Sequence, residues 1–225
     1  MIVLQTLQFP QALQTSQTLQ TSHFHEDEAV AKLSKLLALE CGMSPEKAEQ
    51  IYIAALLHDA GKKKLSAELL NKPDKLTPEE FEVMKTHTTF GAEMLRCVEG
   101  DLGVMVRKVA LYHHERWDSC GYWGKSLSKL PRYVEIVAIA DTFTALVSPL
   151  RTYKQPWPPK EAIDYIHSQA GSHFSHAMVN IFLQLLRTND RIAGIYEPLL
   201  VVPAIIVTPK NATQGGVRNS RRFRI

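Results

Sequence analysis

Apolar residues recur every three or four positions along most of this chain, which is the spacing of amphipathic α-helices. Near the start of the pattern, the run Glu26–Glu28 is acidic and favours the positive end of a helix. Val30, Leu33, Leu36 and Leu37 then follow at helical spacing. The pattern predicts that a first helix begins near Glu26.

Two local signals mark the starts of the next helices. Ser44 is an N-cap residue type followed by Pro45 at the first helical position, and the helical pattern continues to a stop at Gly61. The sequence from Thr77 to Glu80 is a capping box. It opens a predicted helix whose apolar face includes His87.

The rest of the chain is also mostly helical. Further helical stretches are predicted at 104–114, at 132–147 and, more weakly, from Lys160 and from Ser175. The connection 115–131 shows no periodicity, and only 199–208 is typical of a strand. The predicted fold class is all-α, a helical bundle with a short C-terminal strand and a flexible tail.

Composition divides the chain into three parts. The first twenty residues carry no charge and place glutamine at every third position from Gln5 to Gln20. Residues 1–21 are therefore interpreted as a biased N-terminal segment. Residues 22–197 contain the helical pattern and form the predicted domain, and residues 198–225 combine the strand with a basic tail.

The formal net charge is +3 at pH 7, and the positive excess lies in the C-terminal tail. Lys210 and the four arginines after it contribute +5 with no acid beyond Pro209, which leaves −2 on residues 1–209. A basic tail can contact an acidic protein partner. The remaining surface lacks the basic excess typical of nucleic-acid binding, so nucleic acid is not predicted as a partner.

Cysteine usage and apolar runs indicate a cytoplasmic protein. The three cysteines are widely spaced and include no CxxC pair, which predicts neither a disulfide framework nor a thiolate zinc site. No Lys or Arg precedes Lys32, and the most apolar stretch is interrupted by Pro203. The sequence therefore predicts neither a signal peptide nor a membrane span.

Histidines and carboxylates recur near helix ends and on apolar helix faces. Each one alone is more often a hydrogen-bonded core residue. Together they offer imidazole and carboxylate from four segments, a mixture that suits Mn, Fe or Zn better than Ca. The predicted metal-binding set is His58, Asp59, His87, His113, His114 and Asp141. The histidines without matching acids, interpreted as structural or surface residues, are His167, His173 and His176.

A site that holds two such ions would favour hydrolysis of a phosphate ester. A hydroxide bridging two ions can attack phosphorus while the ions neutralise the developing charge, with Asp59 as a catalytic ligand. Lys62 follows His58 by four residues, so its ammonium can bind phosphate or assist the leaving oxygen if the helix continues that far. The alternative for Lys62 is a solvated lysine within the run Lys62–Lys64.

Three segments resemble the HD-GYP family in order and spacing: AALLHDAGKKK with the helix after it, HHERWDSCGYWG, and AIADTFTALVSPLRTYK. The resemblance spans about residues 25–185 and implies an all-helical HD domain. It implies a centre of two or three divalent ions, Fe or Mn rather than Zn, on the metal-binding set given above. The implied reaction is hydrolysis of cyclic di-GMP to linear pGpG, to GMP, or to both.

The family's metal pattern begins with a histidine ahead of the HD pair. Counting back from His58 without gaps puts Glu26 at that position, and a shift of one residue puts His25 there. Both side chains can bind a metal ion. His25 and Glu26 are therefore both candidates for the first ligand.

The resemblance also implies substrate-binding residues. The family's GYP loop reads Gly121-Tyr122-Trp123, so tryptophan replaces proline, and Ser119 replaces a glycine of the motif. Gly121 and Tyr122 are retained, and the tyrosine ring could stack on guanine. Arg151 and Lys154 match basic positions that hold substrate phosphates, with a charged surface turn as the alternative.

These departures from the family pattern leave other functions open. The leading hypothesis is a cyclic di-GMP phosphodiesterase. One alternative is a non-catalytic module that binds cyclic di-GMP or docks a protein through the GYW loop or the basic tail. Another is an HD phosphohydrolase that acts on a different cyclic dinucleotide or nucleotide, because one fold can serve several substrates.

Overall fold

The computed structural model describes residues 17–149 and 155–188, with side chains described from residue 25 to residue 187 within these ranges. Over these residues the chain forms eight α-helices joined by loops and 3₁₀ turns. The helices are α1 (Gln17–Glu40), α2 (Pro45–Leu56), α3 (Ala67–Leu70), α4 (Pro78–Met94), α5 (Gly100–Tyr112), α6 (Arg132–Val147), α7 (Pro159–Ser168) and α8 (His176–Thr188).

The predicted all-α class is confirmed. The described residues contain two isolated β-bridges and no β-sheet. None of their helices combines the length and the apolar character that crossing a membrane requires. The predicted strand at 199–208 and the basic tail lie outside the described residues, and the predicted boundary after residue 21 falls inside α1.

Helix α6 forms the centre of the core because it is apolar on nearly every face. All of its residues from Val134 to Val147 are buried, and it packs against α1, α5 and α7. A helix that is hydrophobic all round has to be surrounded by other elements. Two carboxylates lie in this buried run. Glu135 accepts a hydrogen bond from the backbone N–H of Ser175 at 2.6 Å, and Asp141 faces the predicted histidines.

The predicted helix starts at Ser44 and Thr77 are confirmed in atomic detail. The Ser44 hydroxyl accepts a hydrogen bond from the backbone N–H of Lys47 at 3.2 Å. At α4, the Thr77 hydroxyl accepts from the N–H of Glu80 at 3.2 Å, and the Glu80 carboxylate accepts from the N–H of Thr77 at 2.7 Å. These bonds satisfy backbone donors that a helix start leaves without partners.

The first helix begins earlier than predicted. α1 starts at Gln17 rather than near Glu26, and its first turn contains no acidic residue. Residues 17–25 include neither proline nor glycine. Once a helix has nucleated, each added residue gains a hydrogen bond at little entropic cost, so the helix extends through this stretch.

The helix before the HD pair ends earlier than predicted. α2 ends at Leu56 rather than at Gly61. The N–H groups of Leu57 and His58 bond to carbonyls three residues back, at 3.2 and 3.3 Å, which tightens the chain. Ala60–Lys64 then continues as a 3₁₀ helix. Lys62 therefore reaches the site through a 3₁₀ turn and not through an α-helical turn from His58.

Gly61 allows this 3₁₀ turn to lie directly on α4. A Cβ atom at position 61 would come within 1.9 Å of the backbone oxygen of His87 and 2.4 Å of the backbone nitrogen of Gly91. Both contacts are with backbone atoms of a helix, which cannot move aside cheaply. The absence of a side chain at Gly61 thus sets the distance between the HD turn and the helix that carries His87.

His173 lies in the short connection between α7 and α8 and is buried. Its ring stacks on Phe174, with ring centroids 4.1 Å apart, and its backbone carbonyl accepts a hydrogen bond from Trp117 at 2.9 Å. Its Nδ1 has no hydrogen-bond partner among the described residues. Burial lowers the pKa of His173 to about 3, so the ring packs as a neutral core side chain.

We expect Gly61→Ala to lower the free energy of unfolding by about 2 kcal/mol or more, because the new methyl group collides with backbone. Chemical denaturation measures the loss. Gly42→Ala is the control: Gly42 has a positive φ of 76° and open space around it, so that change costs only the backbone strain of about 1 kcal/mol. Equal losses in the two variants would contradict the packing argument.

His173 predicts a measurable loss of stability in acid. Because its folded-state pKa of about 3 lies below its ordinary value, its contribution is complete above the unfolded pKa and is lost as the pH falls through 6.5 towards 3. The slope reaches about 1.4 kcal/mol per pH unit for this one proton. His173→Gln should reduce the slope of the unfolding free energy against pH by that amount between pH 3 and 6.5. His167→Gln, at an exposed histidine, is the matched control.

Candidate metal centre

The predicted ligands come from four elements that converge on one buried region. His58 and Asp59 lie in the turn after α2, and His87 lies in the middle of α4. The histidine pair 113–114 directly follows α5, and Asp141 lies in α6. His58, His87 and His113 are each no more than 2% exposed. The convergence places imidazoles and carboxylates together inside the protein.

Asp59 is at the centre of this cluster. Its Oδ1 lies 3.3 Å from His87 Nε2 and 3.6 Å from His113 Nε2, and its Oδ2 lies 3.2 Å from His58 Nε2. His58 Nε2 is in turn 3.7 Å from Asp141 Oδ1. The Asp59 carboxylate thus lies close to three imidazoles, and the Asp141 carboxylate approaches His58 from α6.

Three overlapping groups of donor atoms have the spacing of metal ligands, with the atoms of each group within 4.8 Å of one another. The groups are Asp59 with His87, His113 and His114; His58 with His113 and Asp141; and Asp27 with His58 and Asp59. Since several side chains belong to two groups, neighbouring ions at this centre could share ligands.

The histidine rings are held with their Nε2 atoms facing the cluster. The Nδ1 atoms lie 2.6 Å from the carbonyl of Ala55 for His58, 2.7 Å from that of Met84 for His87, and 3.0 Å from that of Val109 for His113. A carbonyl can only accept a hydrogen bond, so each Nδ1 carries the proton. The Nε2 of a neutral ring then presents a lone pair, as in histidines that bind metals.

This arrangement fits divalent cations. Asp59 Oδ1 is buried and has no hydrogen-bond partner among the described residues, although two imidazole nitrogens are close. Those nitrogens direct lone pairs, not protons, at the carboxylate, so the contacts are repulsive unless positive charge lies between them. The mixture of imidazole and carboxylate donors suits a transition-metal ion better than Ca²⁺.

The electrostatics of the cluster also demand positive charge. Burial alone would lower the pKa of His58, but Asp59 and Asp141 raise it well above its usual value. Burial opposes ionisation of Asp59, yet Lys62 and His58 hold the pKa of that carboxyl well below its usual range. Burial lowers the pKa of His87 to about 4, so this ring stays neutral and able to bind metal at pH 7.

Lys62 lies beside the metal centre, as its sequence position suggested. Its ammonium forms an ion pair with Asp59 Oδ2, and its side chain is 29% exposed. The 3₁₀ helix brings it back towards the HD pair within three residues. Lys62 therefore contacts both the Asp59 carboxylate and the solvent.

The structure brings neither candidate for the first ligand into the donor groups. His25 is exposed, and Glu26 is buried outside those groups. Helix α1 instead contributes the carboxylate of Asp27 to the donor groups. Burial raises the pKa of this carboxyl to about 7. The sequence did not predict Asp27 as a candidate ligand.

The sequence pattern of α1 does not single out Asp27. Ala31, Ser34 and Ala38 are buried on one stripe of α1, at spacings of three and four residues, and that stripe extends back to Asp27. The neighbouring stripe of Val30, Leu33 and Leu37 is equally buried and extends back to Glu26. Helical spacing therefore does not choose between the two carboxylates, and only the packing of α1 against the cluster does.

The GYW loop is folded against the end of α5. Glu115 directly follows the histidine pair, is fully buried, and accepts hydrogen bonds from two backbone N–H groups of the loop. Gly121 fits closely beside it: a Cβ there would lie 2.5 Å from the Glu115 Cα atom. Ser119, which replaces a motif glycine, adopts a positive φ of 63°. The loop keeps a turn that glycine would adopt with less strain.

Tyr122 packs beside the metal centre. Its ring centroid lies 4.4 Å from that of His114 and 5.5 Å from that of Phe81, which it meets edge to face. The tyrosine ring is therefore a wall next to the predicted ligands. The other predicted substrate contacts, Arg151 and Lys154, lie outside the described residues.

The sequence of this chain is similar to those of known phosphodiesterases. The chain is 44% identical over 165 residues to a cyclic di-GMP phosphodiesterase of Thermotoga maritima, a match that covers 73% of this chain and 44% of that protein. It is 34% identical over 158 residues to the 3'3'-cGAMP-specific phosphodiesterase 2 of Vibrio cholerae, covering 70% of this chain and 30% of that protein. The chain thus spans less than half the length of these curated relatives.

The fold is also similar to that of solved structures. One is Bd1817, an HDG"Y"P protein from Bdellovibrio bacteriovorus, with a TM-score of 0.59 and 21% identity over 73% of this chain and 52% of that chain. At this identity the likeness concerns the fold. In sequence, residues 6–178 match the profile described as HD domain. The chain therefore belongs to the HD domain family, which confirms the family predicted from its motifs.

Proposed function

We propose that this chain is a metal-dependent phosphodiesterase that hydrolyses cyclic di-GMP to linear pGpG, to GMP, or to both. The observation that carries the proposal is the buried Asp59 carboxylate, which faces imidazole lone pairs and has an oxygen without a hydrogen-bond donor among the described residues. A relative named a cyclic di-GMP phosphodiesterase, 44% identical over most of this chain, supports the choice of substrate.

The three overlapping donor groups support two or three ions in this centre. When bound, divalent ions supply Lewis acidity, which activates water for attack on phosphorus and neutralises charge on the phosphate oxygens. The donors are imidazoles and carboxylates, which suit Mn, Fe or Zn, and we propose Fe or Mn on the resemblance to the HD-GYP family. Asp59, His58 and His113 each belong to two groups, and Asp59 also lies close to three imidazoles, so we assign it the central role.

The chain's own residues prepare the site for this chemistry. The carbonyls behind His58, His87 and His113 fix each ring in one tautomer, so the rings need not reorganise when they bind cations. The low pKa of Asp59 keeps its carboxylate ionised at neutral pH. Lys62, paired with Asp59 and partly exposed, is suited to hold a phosphate oxygen or to donate a proton to the leaving oxygen.

We assign substrate recognition to groups beside the donor cluster and to two basic residues of the sequence motif. Tyr122 and Gly121 belong to the wall beside His114, where an aromatic face can contact a purine base. Arg151 and Lys154 are proposed to bind the substrate phosphates on the basis of their sequence positions alone. A protein partner at the GYW loop or the basic tail and a cytoplasmic location also stay predictions.

A different cyclic dinucleotide is the second candidate substrate. The 3'3'-cGAMP-specific phosphodiesterase 2 of Vibrio cholerae matches 70% of the length of this chain. In this chain, tryptophan replaces the motif proline of the GYW loop. Since cyclic di-GMP and 3'3'-cGAMP differ in one base, the residues that contact bases decide between them and the metal ligands do not.

We expect the protein loaded with Mn or Fe to convert cyclic di-GMP to linear product, measured by chromatography. His58→Ala and Asp59→Ala should each reduce the rate by about 100-fold or more, because losing a ligand costs more than losing a group behind it. His167→Ala is the matched control, since His167 is an exposed histidine outside the donor groups.

A panel of cyclic di-GMP, 3'3'-cGAMP and cyclic di-AMP identifies the preferred substrate in the same assay. Absence of product from every substrate, with metal bound, would contradict the proposed activity and favour a non-catalytic nucleotide-binding module. Unchanged product from the His58→Ala and Asp59→Ala variants would instead show that the activity comes from a contaminant.

Asp27→Asn should lower the metal content of the purified protein by about one ion per chain, because its carboxylate completes the third donor group. Elemental analysis after anaerobic preparation measures the content. His25→Ala and Glu26→Gln should retain the wild-type content. Loss of an ion from either of these two, with none lost from Asp27→Asn, would restore the sequence-based choice of first ligand.

A further inference from the structure

The backbone of the GYW loop is fixed by one buried carboxylate. Glu115 Oε1 accepts a hydrogen bond from the N–H of Trp123, and Oε2 accepts one from the N–H of Lys125, both at 2.6 Å. Bonds from backbone amides to a carboxylate are stronger than bonds between neutral groups. The loop is therefore held from the α5 side, on the residue that follows the histidine pair.

A second bond holds the loop from the side of α4. The indole N–H of Trp123 donates to the Thr88 hydroxyl oxygen at 3.1 Å. That hydroxyl donates its own proton to the carbonyl of Lys85 at 2.8 Å, so its oxygen is oriented to accept. Thr88 is fully buried and directly follows His87. The tryptophan thus joins the loop to the helix that carries a predicted metal ligand.

Tryptophan supplies two donors here that proline cannot. Proline has no backbone N–H, so it could not bond to Glu115, and it has no side-chain donor for Thr88. The replacement of the motif proline therefore exchanges a locally rigid residue for one that is fixed by tertiary hydrogen bonds. The stability of the loop then depends on Glu115 and Thr88 as well as on its own backbone.

Tyr122 lies between these two attachment points. Its ring rests at 35° to that of His114 and meets Phe81, on the first turn of α4, edge to face. Trp123 follows Tyr122 directly and itself keeps 42% of its surface exposed. Trp123 is thus held through its backbone by Glu115 and through its indole by Thr88, directly beside Tyr122 in the chain.

We propose that Trp123 is a positioning residue for substrate recognition: its indole N–H bond to Thr88 latches the GYW loop onto α4 and holds Tyr122 as the wall of the substrate site. This inference rests on the proposed function for its effect on catalysis. The latch itself is a property of the fold and can be measured without substrate.

Three variants test the latch in the whole chain. Thr88→Val removes the acceptor, Trp123→Phe removes the indole donor but keeps a ring and the backbone N–H, and the third variant combines both. Because one neutral hydrogen bond is lost, each variant should raise KM for the preferred cyclic dinucleotide about threefold to tenfold, with kcat changed by less than about twofold. The double variant should show no further loss, since both changes remove the same bond.

Two substitutions on α4 separate the latch from general effects on the helix. Thr88→Ser retains the hydroxyl and should restore the wild-type KM. Thr89→Val is the matched control. Like the hydroxyl of Thr88, that of Thr89 donates to the carbonyl three residues back, but Thr89 is exposed. Thr89→Val should leave KM unchanged.

Amide hydrogen exchange provides a readout that needs no activity. Without the latch, the N–H groups of Trp123 and Lys125 should exchange about threefold to tenfold faster in Thr88→Val than in wild type and in Thr89→Val. Equal exchange in Thr88→Val and wild type would overturn the latch. Faster exchange with an unchanged KM would overturn its role in recognition. If wild type hydrolyses no cyclic dinucleotide, the proposed function fails and the exchange rates still decide on the latch.

Discussion

The buried carboxylate of Asp59 is the constraint around which the rest of the structure is organised. An ionised carboxylate inside a protein is costly unless positive charge and hydrogen bonds compensate it. Here His87 and His113 already donate their Nδ1 protons to backbone carbonyls, so they present lone pairs to it. Lys62 supplies part of the compensation from the solvent side. Divalent cations between the donor groups would supply the rest, which explains why an unfavourable set of groups is kept together.

The scaffold has to deliver these groups from distant parts of the chain. α6 contributes Asp141 from the most buried helix, and it can do so because its other faces are apolar and tightly surrounded. The HD pair approaches His87 only because Gly61 lets a 3₁₀ turn lie on the backbone of α4. Packing at the level of single atoms thus determines the spacing of the ligands.

The substrate side of the site is tied to the same framework. Glu115 follows the histidine pair and fixes the loop that carries Tyr122, while the tryptophan of that loop reaches α4. Under the proposed function, changes in the loop would alter substrate contacts without changing a donor group of the cluster.

Local sequence determined the helices that depend on local bonds. Ser44, the Thr77 capping box and the apolar run of α6 each act within a few residues, so their patterns predicted the structure correctly. The members of the central cluster were also predictable, because HD, His, HH and Asp occur in a specific order. Tertiary structure alone decided that Asp27 joins the cluster instead of His25, that Lys62 reaches Asp59 through a 3₁₀ turn, and that Trp123 bonds to Thr88. These outcomes depend on helix rotation and on contacts between distant segments, which no local pattern specifies.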